Sequence, residues 1–198
     1  MGMHPPNIRT NCCGGENRNE ANLKYAHVIL AGEGAAGNNA KAVAAQAVLL
    51  TALGNSSPVK FSTVNSGVLA NAVGADASFS AFQAVHSDSG IAGVYLVAEP
   101  SKISKVVHSV VGALKSFKVT DIDAIKKQAH NNALRAKAHS DVYSVERASQ
   151  LIISQDNYIN LIPNVTSSDV EAAAQRILKK VSLSSYGDVD NVPYLDTL

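Results

Sequence analysis

Apolar positions change period several times along the chain, and each change predicts an element. Leu23 to Leu30 (LKYAHVIL) is a short apolar run that reads as a strand, and Asn38 to Leu53 (NNAKAVAAQAVLLTAL) reads as a helix stopped by Gly54. Gly54 to Pro58 is a loop, and Val64, Val68 and Leu69 predict a shorter helix over Thr63 to Val73. Period two then takes over. Phe79, Ala81, Gln83 and Val85 alternate with Ser80, Phe82, Ala84 and His86, and Ser87-Asp88-Ser89-Gly90 leads into the run Ile91 to Val97, a hairpin signature.

Beyond Pro100, which suits the first turn of a helix, Ile103, Val106, Val107, Val110, Val111 and Leu114 recur on one face of Lys102 to Phe117. Thr120 to Asp123 reads as a variant capping box, with Asp123 at N3, opening a helix to about Ala138. That helix would turn Ile122, Ile125, Ala129, Leu134 and Ala138 inward. A further helix is expected near Asp141 to Gln155, with Val142, Val145, Ala148, Leu151 and Ile152 on one side. Another starts at Thr166 or Ser167, buries Val170, Ala173, Ala174, Ile177 and Leu178, and ends near Lys180. Leu183 to Gly187 reads as a last strand before the tail DVDNVPYLDTL. A central hairpin with helices clustered after it makes this α+β: two layers, a mostly antiparallel sheet with helices on one face. Residues 1–13 are expected to be a polar leader and residues 14–198 a single domain.

Composition narrows the function classes. At 198 residues, with 46% hydrophobic and 17% charged positions, the chain carries one substantial core. Its net charge of +1 comes from basic and acidic residues mixed along the sequence, so neither nucleic acid nor an anionic membrane is an expected partner. Cys12 and Cys13 are the only cysteines, which predicts free thiols in a reducing compartment rather than a zinc site or a disulfide framework. No apolar run approaches the length of about 18 residues that crosses a bilayer. The first residues carry neither an apolar signal core nor an Arg-rich amphipathic pattern, so the chain is expected either to stay where it is made or to be part of a longer product.

Three patterns suggest chemistry, and each has a plainer explanation. Gly32, Gly34 and Gly37 spell G-x-G-x-x-G between a strand and a helix, the order of a dinucleotide-binding turn. That fold needs an acidic residue about 20 positions further on to hold the ribose. From Gly34 to Ala75 there is none, and Glu33 would set a carboxylate beside the phosphates. The glycines are therefore expected to serve a strand-to-helix connection in which an asparagine caps the helix. His86-Ser87-Asp88-Ser89 contains the residue types of a hydrolase triad, but neighbours in one turn cannot align nucleophile, base and orienting acid. The histidines, at 4, 27, 86, 108, 130 and 139, include no pair at i, i+4 on one helical face, and His130 and His139 fall on roughly opposite sides of a helix. Lys126, Lys127, Arg135 and Lys137 read as a solvated helix face. Catalytic, cofactor-binding and metal-binding residues are each expected to be none, with no cofactor.

The hairpin carries a resemblance. FSAFQAVHSDSGIAGVYLV, Phe79 to Val97, resembles a stretch of the second domain of mitochondrial-processing-peptidase-like (pitrilysin-type) proteins, where an aromatic residue precedes an Asp-Ser/Thr-Gly turn and a Gly-Ile-Tyr strand. LLTALGNSSPVKFSTVNSGVLANAV (Leu49 to Val73), Gly14-Gly15-Glu16 and the closing VPYLDTL are similar to one branch, the second core proteins of ubiquinol-cytochrome c reductase, respiratory complex III. The resemblance implies the C-terminal half of a protein built from two homologous halves. The family's zinc motif, His-x-x-Glu-His, belongs to the first half and does not occur here. Active relatives also use an Arg/Tyr pair near this hairpin. Tyr95 matches the tyrosine, and no arginine lies between Phe79 and Val97.

What the resemblance implies is a degenerate, noncatalytic core subunit, or a fragment of one, on the matrix side of the mitochondrial inner membrane. It would be peripheral to the membrane and assembled with the homologous first core subunit and other complex III subunits. The alternative is the noncatalytic alpha-type subunit of the processing peptidase, which binds presequences. Its glycine-rich loop falls here at Gly54-Asn55-Ser56-Ser57-Pro58-Val59, where a single glycine stands. A free-standing cytosolic binding domain is a third possibility.

Overall fold

The computed structural model describes residues 14–54, 67–138 and 158–198, together with 144 and 148. In order these form β1 (Gly15–Glu20), β2 (Ala26–Glu33), α1 (Ala40–Leu53), α2 (Val68–Val73), β3 (Ala77–Val85), β4 (Gly90–Ala98), α3 (Pro100–Lys115) and α4 (Ile122–Ala138). A 3-10 segment (Tyr158–Asn164), α5 (Ser167–Lys179), β5 (Ser182–Gly187) and a last 3-10 turn (Leu195–Thr197) complete them. Of the helix expected near Asp141 to Gln155 only Ser144 and Ala148 are described, both helical, with Ala148 exposed rather than on the inward side; the rest of it, the start of the helix expected from Thr63, Cys12, Cys13, His4 and His139 lie outside the described residues.

The described strands form one five-stranded sheet in the order β1-β5-β2-β4-β3. Only β1 and β5 run parallel; the other pairs are antiparallel, from Ala26 opposite Ala98 to Glu33 opposite Ile91 in the central pair. The alternation seen in the sequence becomes two faces. Ala26, Val28 and Leu30 of β2, Ala92, Val94 and Leu96 of β4, Phe79 of β3 and Leu183 of β5 are buried against the helices. The same core takes Val48, Leu49 and Leu53 of α1, Val170, Ala173, Ala174 and Ile177 of α5, and all six apolar positions expected on α3. At about 1.5–3 kcal/mol per fully buried large apolar side chain, that α3 stripe is a major reason the helix docks. This is the α+β two-layer architecture expected.

Several boundaries differ from expectation for physical reasons. Strand β2 runs from Ala26 to Glu33 rather than Leu23 to Leu30, because pairing with β4 continues through Gly32 and Glu33 while Leu23 sits in a turn closed on Ala21. Asp121, not Thr120, caps α4: its carboxylate accepts the Ala124 N–H at 3.0 Å, and its carbonyl accepts the Ile125 N–H. Leu134 is not inward but 47% exposed, since the buried line of α4 passes through Ile122, Ile125, Ala129 and Ala133 and leaves position 134 one residue further round. Residues 15–20, within a stretch read without secondary structure, form the edge strand β1.

That edge is tied to the end of the chain. Arg18 donates from Nη1 to the Val192 carbonyl at 2.9 Å and from Nη2 to the Pro193 carbonyl at 2.9 Å, and its guanidinium lies 3.9 Å from the Tyr194 ring centroid. Glu16 pairs with Arg18 and accepts the Leu195 N–H at 2.8 Å. The Leu195 amide first, and the Arg18 side chain second, hold the Glu16 carboxyl below its usual range.

Candidate functional site

The glycine fingerprint is the first place to look, and its amides are already used. Gly34 N–H donates to the Gly90 carbonyl at 2.8 Å, Gly37 N–H to the His86 carbonyl at 2.7 Å, and Asn38 N–H to the Ser87 carbonyl at 3.0 Å. Ala35 N–H donates to Oε1 of the buried Gln46 at 2.6 Å, and Gln46 Nε2 donates to Gln83 Oε1 at 2.8 Å. A phosphate cradle needs those N–H groups free and converging. Here they clamp the turn onto the tip of the β3–β4 hairpin and onto α1. The glycines serve close approach instead: a Cβ at Gly32 would stand 1.9 Å from the Ile177 carbonyl oxygen of α5, and one at Gly34 would stand 2.7 Å from the Ile91 carbonyl carbon. Asn39 caps α1 as expected of an asparagine there, accepting the Ala42 N–H at 3.0 Å.

His86 to Ser89 is a tight turn closed by His86 N–H on the Ser89 carbonyl at 2.9 Å. Ser89 Oγ donates to Asp88 at 3.3 Å, and no hydrogen bond joins the His86 ring to either serine. Among the described residues no group of three His, Cys, Asp or Glu side chains is placed to hold a metal ion. The described histidines are dispersed: His108 Nδ1 pairs with the Ser104 carbonyl on α3, His27 lies on β2 and His130 on α4. Lys126 is less solvated than the sequence suggested, its ammonium lying 3.1 Å from the Pro163 carbonyl and 3.2 Å from Asp123.

The surface that stands out is the face of the sheet turned away from the core. Register places Tyr186, His27, Val97 and Ser78 side by side across it, with Ser184, Ile29, Tyr95 and Ser80 in the next row. Ala31, Gly93 and Phe82, then Glu33, Ile91 and Ala84, continue the pattern. Ile29 is 37%, Ile91 45% and Tyr186 51% exposed. The Tyr95 hydroxyl and His27 Nδ1 are 2.6 Å apart, with their rings stacked at 6.0 Å, so the tyrosine matched by resemblance is held by a histidine of β2. Sequence reading placed His27 and Tyr95 in separate strands; the β2–β4 register, which brings them together, was not part of that reading. Glu33 is the one charged side chain that this register places on the described part of the face, which is otherwise a mixture of serines, small residues and the apolar Ile29, Ile91, Val97 and Phe82 around the phenol–imidazole pair. No helix of the described residues is long and apolar enough to cross a membrane.

No family model matches the chain. Individual proteins do. Cytochrome b-c1 complex subunit 2 of Mus musculus is 28% identical over 200 residues, covering 93% of this chain and 44% of its own length. The human protein of the same name is 24% identical and is covered over 47% of its length. Mitochondrial-processing peptidase subunit alpha-2 of Dictyostelium discoideum is 29% identical, covering 89% of this chain and 43% of its own length. This chain therefore spans less than half the length of the curated relatives it matches. Among solved structures, a chain of complex III2 from Candida albicans superposes with a TM-score of 0.79 at 17% identity over 93% of this chain and 48% of its own. The peptidase M16 inactive domain from Pseudomonas fluorescens superposes with a TM-score of 0.66 at 14% identity over 88% of this chain and 43% of its own. This chain is a homologue of cytochrome b-c1 complex subunit 2, with the fold of the peptidase M16 inactive domain.

Proposed function

We propose that the chain is a noncatalytic structural core subunit, or a fragment of one, of mitochondrial respiratory complex III. It sits on the matrix side of the inner membrane, supports electron transport from ubiquinol to cytochrome c, and assembles with the homologous first core subunit. The observation that carries this reading is the similarity to subunit 2 over 93% of the chain. The open sheet face, with Ile29, Ile91 and Tyr186 exposed and a single charge, supplies a surface for such assembly, and residues 14–198 are read as one domain corresponding to the C-terminal half of the relatives. The sequence contains no His-x-x-Glu-His, and the glycine-turn amides and the His86 turn are engaged in holding the fold, which supports a scaffold rather than an enzyme.

An alpha-type processing-peptidase subunit is the second reading, favoured by the Dictyostelium relative. The single glycine in Gly54 to Val59 weighs against it. Affinity purification of the tagged chain from detergent-solubilised mitochondria separates the two. Recovery of complex III subunits supports the proposal, while recovery of a beta-type peptidase subunit with presequence binding supports the alternative. Chelator-sensitive cleavage of a presequence by the chain alone would refute both.

A further inference from the structure

Strand β1 is attached to the sheet in a different way from the other four described strands. Each of those sends at least one apolar side chain into the core, and β1 sends none. Burial of apolar surface is the dominant favourable term in holding an element onto a domain, so β1 lacks the main source of docking energy. It pairs in parallel with β5, from Gly15 opposite Ser182 to Glu20 opposite Gly187, and among the described strands it alone covers the outer edge of β5. Its side-chain bonds all come from two residues. Arg18 donates to three carbonyls of the tail, Val189 at 3.3 Å, Val192 at 2.9 Å and Pro193 at 2.9 Å, and from Nε to Glu16, while Tyr194 lies over its guanidinium. Glu16 accepts the Leu195 N–H. The receiving segment is anchored on its own account, with Val189 and Val192 buried in the core and Leu195 packed against it. On the other side of β1, the pairing ends with the Ala21 N–H on the Gly187 carbonyl at 2.9 Å, and residues 22–25 leading into β2 are exposed. Elements with few buried apolar contacts open at free energies well below that of global unfolding.

We propose that β1 is a releasable edge strand and that Arg18 is its catch. Seated among the Val189, Val192 and Pro193 carbonyls, a planar guanidinium fork holds β1 closed against β5. With the catch withdrawn, β1 swings on residues 21–25 while the tail stays docked. The outer edge of β5 is then a row of unpaired backbone donors and acceptors, the kind of edge to which another strand adds. Arg18 is a positioning residue in this device: it sets how often that edge is open.

The test is amide hydrogen exchange of the full chain, read residue by residue by NMR. In the unaltered chain the amides joining β1 to β5 are expected to exchange faster than those joining β2 to β4. Arg18→Ala is expected to speed exchange of the β1–β5 amides by roughly tenfold or more, the loss of hydrogen bonds from a charged donor, and to leave the β2–β4 amides unchanged. Tyr194→Ala alters a ring that is 60% exposed, so the fold is retained whatever Arg18→Ala does. It is expected to speed the same β1–β5 amides by about two- to fivefold, the worth of an exposed cation–ring contact, although Tyr194 belongs to neither strand. Equal protection of the two sets in the unaltered chain, a rise in both sets alike, or no change in the β1–β5 amides of the variants would overturn the proposal.

Discussion

The Gly34 amide donates to the Gly90 carbonyl across 2.8 Å, joining the turn after β2 to the first residue of β4. A motif with the spacing of a nucleotide-binding loop is thereby a clamp between two parts of one sheet. Because a Cβ at Gly34 would meet the Ile91 backbone at 2.7 Å, Gly34→Ala forces strand separation and is expected to cost about 1–3 kcal/mol. Urea unfolding reads this as a lowered midpoint with unchanged slope. The unaltered chain is expected to show no saturable response to NAD or ATP by calorimetry; tight binding abolished by Gly34→Val would contradict the clamp.

Gln46 completes the same clamp from α1. Its side chain is buried, accepts from Ala35 and donates to Gln83, so Gln46→Leu leaves the Ala35 N–H enclosed without an acceptor. A loss of about 1–3 kcal/mol is expected. Gln83→Ala alone should cost less, and a double-mutant cycle should give a non-zero coupling between the two. Additive effects would mean that the Gln46–Gln83 bond contributes nothing.

Acid stability carries a signature at the head of α5. The Thr166 hydroxyl and amide donate to Asp169 at 2.7 and 3.0 Å, and with Lys41 at 3.0 Å they lower its pKa from 3.8 to about 2. A carboxyl whose pKa is lower in the folded chain stabilises it fully above the unfolded value, and that contribution fades as pH falls from near 4 toward 2. Asp169→Asn is expected to be about 1 kcal/mol less stable at pH 7, a typical capping contribution, with the gap closing by pH 2. Denaturant midpoints at the two pH values check this; a gap independent of pH would contradict it.

How far the sequence revealed these features depended on whether each was written in side-chain period or in backbone contact. The α3 stripe, the hairpin and the α5 face appear because apolar side chains repeat at 3.6 or 2.0 residues. Strand β1 does not, because GENRNE is an edge strand held by backbone pairing with β5 and by the bonds of Arg18 to the tail. Leu134 was misplaced because periodicity alone cannot fix which of two adjacent positions lies on the buried line. The missing acid argued against nucleotide binding, yet what Gly32 does emerges only where the α5 backbone crosses β2. The open face was half legible: its residues alternate, but their assembly into rows needed the strand order.

If the open face is an assembly surface, a charge on it should separate folding from association. Ile29 is already 37% exposed, so Ile29→Glu is expected to change stability by no more than about 0.5 kcal/mol. Recovery of complex III subunits in affinity purification should nevertheless fall sharply. Undiminished recovery would place the contact elsewhere.

The proposed assembly of this chain into complex III, rather than with a peptidase subunit, is tested most directly by complexome profiling of intact mitochondria. Its peptides are expected to migrate with the other subunits of complex III. Migration with a soluble processing-peptidase heterodimer, with complex III intact and lacking the chain, would contradict it.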